Sequence, residues 1–376
     1  MYTDHPDQFQ IWFDQQEEET HEFVAGRLAL RCLPALCDIL GADAEPDHAT
    51  YLRSKRLTLT LCVALADRRP RHISLLNKTA KSFLVDHQQI FNGESRRFLK
   101  KRGTHSIRCV SQAAHIFLDT RGKDWAVWKA QQECARACVL DTNFSDVYEN
   151  WFSKSMYQEI LDDSRHRSFE EPLWSRLNTS ERDPLKAILD QWSRTSTVNS
   201  FWHDWYRGFF EGKPLDWELQ RRVALIDDAL WKNGPSAVTI EIEKIRAKFN
   251  LEKRVEELEA ELRNATINRH GVGGNMPPEP INDASIAKEL VIIWQPLGNL
   301  KAEIAKDKPS STRLQQLVEA LSRALSTGIA WCLKKVDLTV DTAIKWALPA
   351  GGGYLALNPE KLEAVIEATK KLLGNL

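Results

Sequence analysis

The chain has 376 residues, long enough for two or three domains of the usual ~100–200 residues. Its 43% hydrophobic and 27% charged content excludes wholesale disorder, and no apolar run reaches the roughly 18 residues of a conventional membrane-spanning helix. The net charge of -1 conceals a segregation: residues 1–50 carry 2 basic and 11 acidic side chains, residues 51–125 carry 16 basic and 5 acidic. Such a contrast makes either an internal electrostatic match or a surface for an anionic partner. The polar, acidic start (Met1-Tyr2-Thr3-Asp4) is unlike a signal peptide. Seven cysteines, an odd number with no CxxC pair, read as reduced, buried thiols of a cytoplasmic protein. Thirteen tryptophans make Trp the compositional outlier and point to aromatic anchoring of a core.

Residues 7–41 have helical spacing (Phe9, Trp12, Phe13, Phe23, Leu28, Leu30, Leu33, Leu36, Ile39), with Pro34 placed to kink the helix. Glu17, Glu18 and Glu19 read as a solvated face. Residues 49–67 are ambiguous, because Leu57-Thr58-Leu59-Thr60-Leu61 alternates as a strand would. Helices flank this stretch and no partner strand is visible, so the expectation is helix. Another helix over 72–91 precedes the densest basic cluster, Arg96, Arg97, Lys100, Lys101 and Arg102. Lys and Arg displace counterions from phosphates, which makes this cluster the candidate for nucleic acid or lipid headgroups. The competing reading docks it on the acidic first helix.

Residues 105–119 and 124–140 suit a small-residue helical hairpin, and 144–163 carry an aromatic stripe including Trp151, Tyr157 and Ile160. Asp162, Asp163 and His166 follow and read as surface charge at a helix end. Over 199–249, Phe201, Trp202, Trp205, Tyr206, Phe209 and Phe210 predict an aromatic helix. A turn at Gly212-Lys213-Pro214 and a second helix (Leu215, Leu219, Val223, Ile226) come next. Trp231 is expected in a loop before a third helix opening at Gly234-Pro235. His203 and Asp204 are adjacent in sequence and so point apart on a helix, a weak catalytic pair. Leu251, Val255, Leu258 and Leu262, spaced 4-3-4 among charges, form a short coiled-coil signature that suits packing on the chain itself or pairing with a second copy.

The stretch 269–280, Arg-His-Gly-Val-Gly-Gly-Asn-Met-Pro-Pro-Glu-Pro, cannot continue a helix and reads as a linker. Together with the segment before it, it resembles a group of alphaproteobacterial all-helical proteins of unassigned function. The residues carrying the likeness are Trp202, Trp205, Tyr206, Gly212, Pro214, Leu215, Leu219, Gln220, Ala224, Leu225, Ile226, Trp231, Gly234 and Pro235. In the linker they are His270, Gly271, Val272, Gly273, Asn275, Pro277, Pro278 and Glu279, and Gly274 departs from the group's histidine. The resemblance implies a helical protein and lends no activity.

Beyond the linker, a helix over about 283–306 (Leu290, Trp294, Leu297, Leu300, Ile304) leads to a longer one running to about 347. Leu321, Leu325, Ile329, Trp331, Val336, Val340 and Trp346 of the latter are candidates for a membrane surface or a partner helix. A last helix occupies 359–373. The expected fold is all-α: a multi-helix N-terminal body over 1–250, a coil-like extension over 251–265, a Gly/Pro linker over 266–282, and a helical hairpin or three-helix bundle over 283–376.

No P-loop, Rossmann fingerprint, HExxH or metal-spaced Cys/His set occurs, so no catalytic, cofactor or metal residue is assigned. The functional expectation is a non-enzymatic interaction or assembly protein that binds itself or another protein through a tethered C-terminal module, with no small-molecule substrate. One alternative is a membrane-perturbing effector of a bacterial defence or conflict system, cytoplasmic or peripheral to the membrane. The other is nucleic-acid binding through 51–125.

Overall fold

The computed structural model describes residues 15–40, 48–66, 156–166, 168–176, 200–267, 294–334, 345–348, 353–356 and 359–376, with positions 81, 109, 110, 112, 113, 186, 187, 189 and 190 besides. The fold is all-α, with ten helices among these residues. The chain divides into two compact units, Met1–Ile242 and Glu243–Leu376.

In the first unit, α1 (Glu18–Leu40) packs on α2 (His48–Ala66) and on α3 (Met156–His166). Gly26 permits the close approach to α2, because a β-carbon there would stand 2.5 Å from Leu65 Cδ1. Both α1 and α2 are buried nearly all round over their described side chains, the mark of a central helix rather than a surface one. This explains the strand-like alternation in α2. Leu57, Leu59 and Leu61 are buried, and so are Thr58 and Thr60, whose hydroxyls donate one turn back to Ser54 O (3.0 Å) and Arg56 O (2.9 Å). A threonine that satisfies itself inside its own helix can sit in a core.

The tryptophan-rich segment folds as α4 (Ser200–Glu211), α5 (Trp217–Ala224) and α6 (Asp228–Lys232), with α5 packed on α2. Along α4 the rings meet edge to face: Trp202–Trp205 at 5.6 Å and 89°, Trp205–Phe209 at 5.5 Å and 85°. Trp205 Nε1 donates to Gln220 Oε1 (2.8 Å), Trp231 Nε1 to Ile226 O (3.1 Å) and Trp174 Nε1 to Tyr206 OH (3.3 Å), so these buried indoles keep their hydrogen bonds. Trp231 does not lie in a loop. It belongs to α6, which starts because Asp227 caps it by accepting from Ala229 N at 2.7 Å. Asp216 caps α5 in the same way.

The helix opening at Pro235, α7 (Pro235–Ile267), has 33 residues and contributes to both units. Its Leu251, Val255 and Leu258 are buried with Leu297, Leu300 and Ile304 of α8 (Trp294–Ile304), Leu314, Leu317 and Leu321 of α9 (Ser311–Lys334), and Leu362, Val365 and Ile366 of α10 (Pro359–Asn375). The C-terminal bundle thus takes a fourth helix from α7. The expected continuation of α9 to about 347 is not found: α9 is described over Ser311–Lys334, and Lys345–Leu348 (β1) pairs antiparallel with Gly353–Ala356 (β2), Trp346 opposite Leu355. Trp346 is therefore not a helical residue.

Candidate functional site

The two basic residues of the acidic first fifty, Arg27 and Arg31, lie one turn apart on α1 and are buried. Glu159 and Asp163, one turn apart on α3, are buried opposite them. Arg31 Nη1 donates to Asp163 Oδ2 at 2.7 Å, and its Nη2 lies 3.2 Å from Glu159 Oε2. Arg27 Nε sits 2.6 Å from Asp163 Oδ1, although its N–H points off the line to that oxygen. Asp163 is thus not surface charge. Asp162 does sit near the surface, where it accepts from Arg176 Nε at 2.8 Å.

The remaining guanidinium donors grip the chain after α3. Arg27 Nη1 donates to Ser168 O (3.3 Å) and Glu171 O (3.0 Å), and its Nη2 to Pro172 O (3.0 Å). Arg31 Nε and Nη2 donate to Leu173 O at 3.1 and 2.9 Å. Glu159 Oε1 accepts from Arg176 N at 2.9 Å. Burial pulls the Arg27 pKa below its ordinary value against the opposing pull of Asp163. Only dense hydrogen bonding of this kind makes two buried guanidinium groups tolerable. Their product is a fixed loop, 168–176, with Phe169, Leu173 and Trp174 buried.

That loop docks on the end of α4. Leu173 N donates to Phe209 O at 3.0 Å, and Gly212, at φ +70°, leaves room for Glu170 O where a β-carbon would otherwise stand. Phe169 stacks within 4.8 Å of Phe23, 5.4 Å of Phe209 and 5.3 Å of Trp217. Two adjoining depressions result, sharing Glu170 and Trp217. One, of about 490 Å³, is lined by Glu19, Phe23, Leu65, Ala66, Ser168 and Phe169 besides. The other, of about 630 Å³, is lined by the 212–216 turn. Trp217 is half-buried and stands at both. This cleft is the candidate site.

A further buried cation, Arg56 on α2, donates from Nη2 to Ile226 O at 2.9 Å and pairs with Asp228 at 2.8 Å. It lies 4.5 Å over the Trp231 ring, and burial lowers its pKa to about 10. Lys55 is also buried, its Nζ 5.5 Å over Trp202. These two members of the basic segment are therefore turned inward. The cluster Arg96, Arg97, Lys100, Lys101 and Arg102 lies outside the described residues, as does the linker 269–280.

Comparison of the chain with protein-family models, with curated proteins and with solved structures finds no match.

The other sequence candidates divide. Leu251, Val255, Leu258 and Leu321 belong to the core of the second unit, and Leu325 packs against it. Leu262, Ile329 and Trp331 lie on α7 and α9, while Val336 and Val340 lie outside the described residues. His203 Nδ1 and Asp204 Oδ1 are 3.3 Å apart, so the adjacent pair does meet, at the edge of α4. Among the described residues no group of three or more His, Cys, Asp and Glu converges as metal ligands would, and no helix is long and apolar enough to cross a membrane. Cys32, Cys62 and Cys109 are buried, and burial pushes the Cys62 thiol up.

Sequence reasoning missed Phe169, Glu170, Trp217 and the pair Arg27/Arg31. A signal existed for the arginines. A basic residue repeated one turn later inside an otherwise apolar helix, matched by Glu159 and Asp163 at the same spacing, is the pattern of a buried ion-pair ladder. The cleft had none, because its residues come from α1, the end of α2, the 168–176 loop, the turn before α5 and the start of α5.

Proposed function

We propose that the chain is a non-enzymatic interaction protein whose contact surface is the aromatic cleft at Trp217. The observation that carries this reading is the half-buried Trp217, 5.3 Å from Phe169, at two depressions whose loop is held by buried ion pairs. Aromatic residues that keep accessible area in a preorganised cleft are where binding energy concentrates. The buried charged groups nearest this cleft are engaged in holding the loop rather than poised for proton transfer.

The C-terminal unit is, in this reading, a helical module joined to the body through α7. The described part of its stripe, Leu314, Leu317, Leu321 and Leu325, is taken up by its own core, which counts against the membrane-perturbing alternative. Opening that core to water would cost about 1.5–3 kcal/mol for each of Leu314, Leu317 and Leu321 before a bilayer could receive them. Inward-turned Lys55 and Arg56 likewise reduce the basic surface available to a nucleic acid.

Photocrosslinking tests the proposal. A benzophenone amino acid replaces exposed Lys213 at the cleft or exposed Arg323 on α9. A discrete protein adduct from position 213, absent from 323 and abolished by Trp217→Leu, is the expected result. Identical adducts from both positions, or adducts indifferent to Trp217, would overturn the reading.

A further inference from the structure

We infer that the occupant of the cleft is a basic peptide segment of a partner protein, with an arginine or lysine side chain laid on Trp217 and its charge toward Glu19 and Glu170. The inference rests on the cleft being a binding surface and concerns what it selects. Its first support is charge: among the described residues, three carboxylates line the two depressions, Glu19, Glu170 and Asp216, and one cation, Lys213. Two of these carboxylates have duties at helix ends, Glu19 in the first turn of α1 and Asp216 as the cap of α5. Glu170 has no such duty. It is exposed, and among the described residues its carboxylate has no ion-pair partner, so it is available to an incoming cation.

The second support is the aromatic lining. Phe23, Phe169 and Trp217 meet the same depression as Glu19 and Glu170. A ring face attracts a cation electrostatically, and Trp does so best. Among the described residues the first unit uses this chemistry internally three times, with Arg56 over Trp231 at 4.5 Å, Lys55 over Trp202 at 5.5 Å and Arg31 over Trp174 at 5.9 Å. In each case the tryptophan is taken by the chain's own cation. Trp217 differs in being half-buried beside carboxylates at a cleft. A neutral apolar ligand would leave Glu170 desolvated without compensation, whereas a guanidinium satisfies ring and carboxylate together.

The test uses the full chain labelled with fluorotryptophan, the Trp217 fluorine resonance being identified by its loss in Trp217→Leu. The probes are a short synthetic peptide carrying arginines in a glycine–serine background and its counterpart with citrulline at each arginine, which removes the charge and keeps the shape. The expected result is a saturable shift of the Trp217 resonance by the arginine peptide, with affinity falling as salt is added. The citrulline peptide should bind roughly tenfold more weakly or worse. Glu170→Gln, an exposed change that leaves the fold intact, should weaken the arginine peptide by roughly threefold. Equal binding of the two peptides, or binding indifferent to Glu170→Gln, would overturn the inference while leaving the cleft a binding surface. If neither peptide moves the resonance although crosslinking at position 213 still depends on Trp217, the inference falls and the binding reading stands. If both measurements are negative, both fall.

Discussion

The two units solve the same packing problem with different materials. Among the described residues, the interior of the first holds Arg27, Arg31, Lys55, Arg56, Glu159, Asp163 and Gln220 among its aromatic rings. The core cluster of the second is aliphatic, and the buried polar side chains described in that unit are Glu303 and Thr369. Glu303 sits at the α8–α9 turn, where its carboxylate takes Ser310 N at 2.7 Å and Lys306 Nζ at 2.6 Å. Thr369 donates to Val365 O at 2.7 Å. A leucine core is held by area removed from water and tolerates imprecision of register. A core of guanidinium and carboxylate groups is stable only when every member is in place, and in return it fixes loop 168–176 where an aliphatic contact would let it slide.

The largest effect that would sharpen this contrast comes from Asp163→Ala. It leaves both Arg27 and Arg31 without their shared carboxylate, and a loss of about 3–5 kcal/mol is expected. Hydrogen exchange followed by mass spectrometry should record the loss over α1, α3 and 168–176 and leave α8–α10 protected. Uniform loss across both units would contradict separate cores. Leu321→Ala is the reciprocal change. Its side chain is fully buried in the second core, and removing it should cost about 2–5 kcal/mol, read in α8–α10.

Gly212→Ala should come next, at about 1–3 kcal/mol. The residue has φ +70° and Glu170 O stands against the added methyl. Here the informative readout is local: the Trp217 environment, followed by fluorine NMR, should change more than global stability does.

Acidification gives the smallest and broadest effect. Salt bridges and hydrogen bonds from Arg221 and Arg222 hold Glu218 down to about 2, and bonds from Lys306 and Ser310 hold Glu303 below its usual value. A carboxylate whose folded pKa is depressed contributes stability at pH values above its unfolded pKa, about 4.5, and that contribution disappears as the pH falls toward the folded value. Thermal unfolding should therefore move to lower temperature between about pH 4.5 and pH 2. Glu218 is only partly buried, so its share is modest. In Glu303→Gln the acid-dependent loss in α8 and α9 should shrink. An unchanged pH profile in that variant would show that the turn does not depend on the charge.

Helicity was legible from spacing. The α4 aromatics, the turn at Gly212 and the start of α7 at Pro235 all stand where periodicity and punctuation put them. That the chain is a strand by Lys345 was not legible. Val336, Val340 and Trp346 continue the apolar spacing of α9 on paper, yet Trp346 lies in a strand paired through backbone atoms that hydropathy does not report. Nor could spacing distinguish a coil seam that meets a second copy from one that meets α8, α9 and α10. The same Leu251, Val255 and Leu258 would serve either. Trp231 shows the limit at small scale, since a five-residue helix is too short to carry a period and depends on its Asp227 cap.

What residue order determined by itself is the helical class, the turns and which faces shun water, because these follow from contacts within a few positions. Which cation meets which carboxylate, and whether a tryptophan ends sealed or at a cleft, only the tertiary structure decided. Arg31 reaches Asp163 across 132 positions, and Trp217 gains Phe23 and Phe169 as neighbours of one depression from two distant segments. No local pattern encodes such meetings. They arise when the apolar faces close and bring charges along that must then find partners within reach.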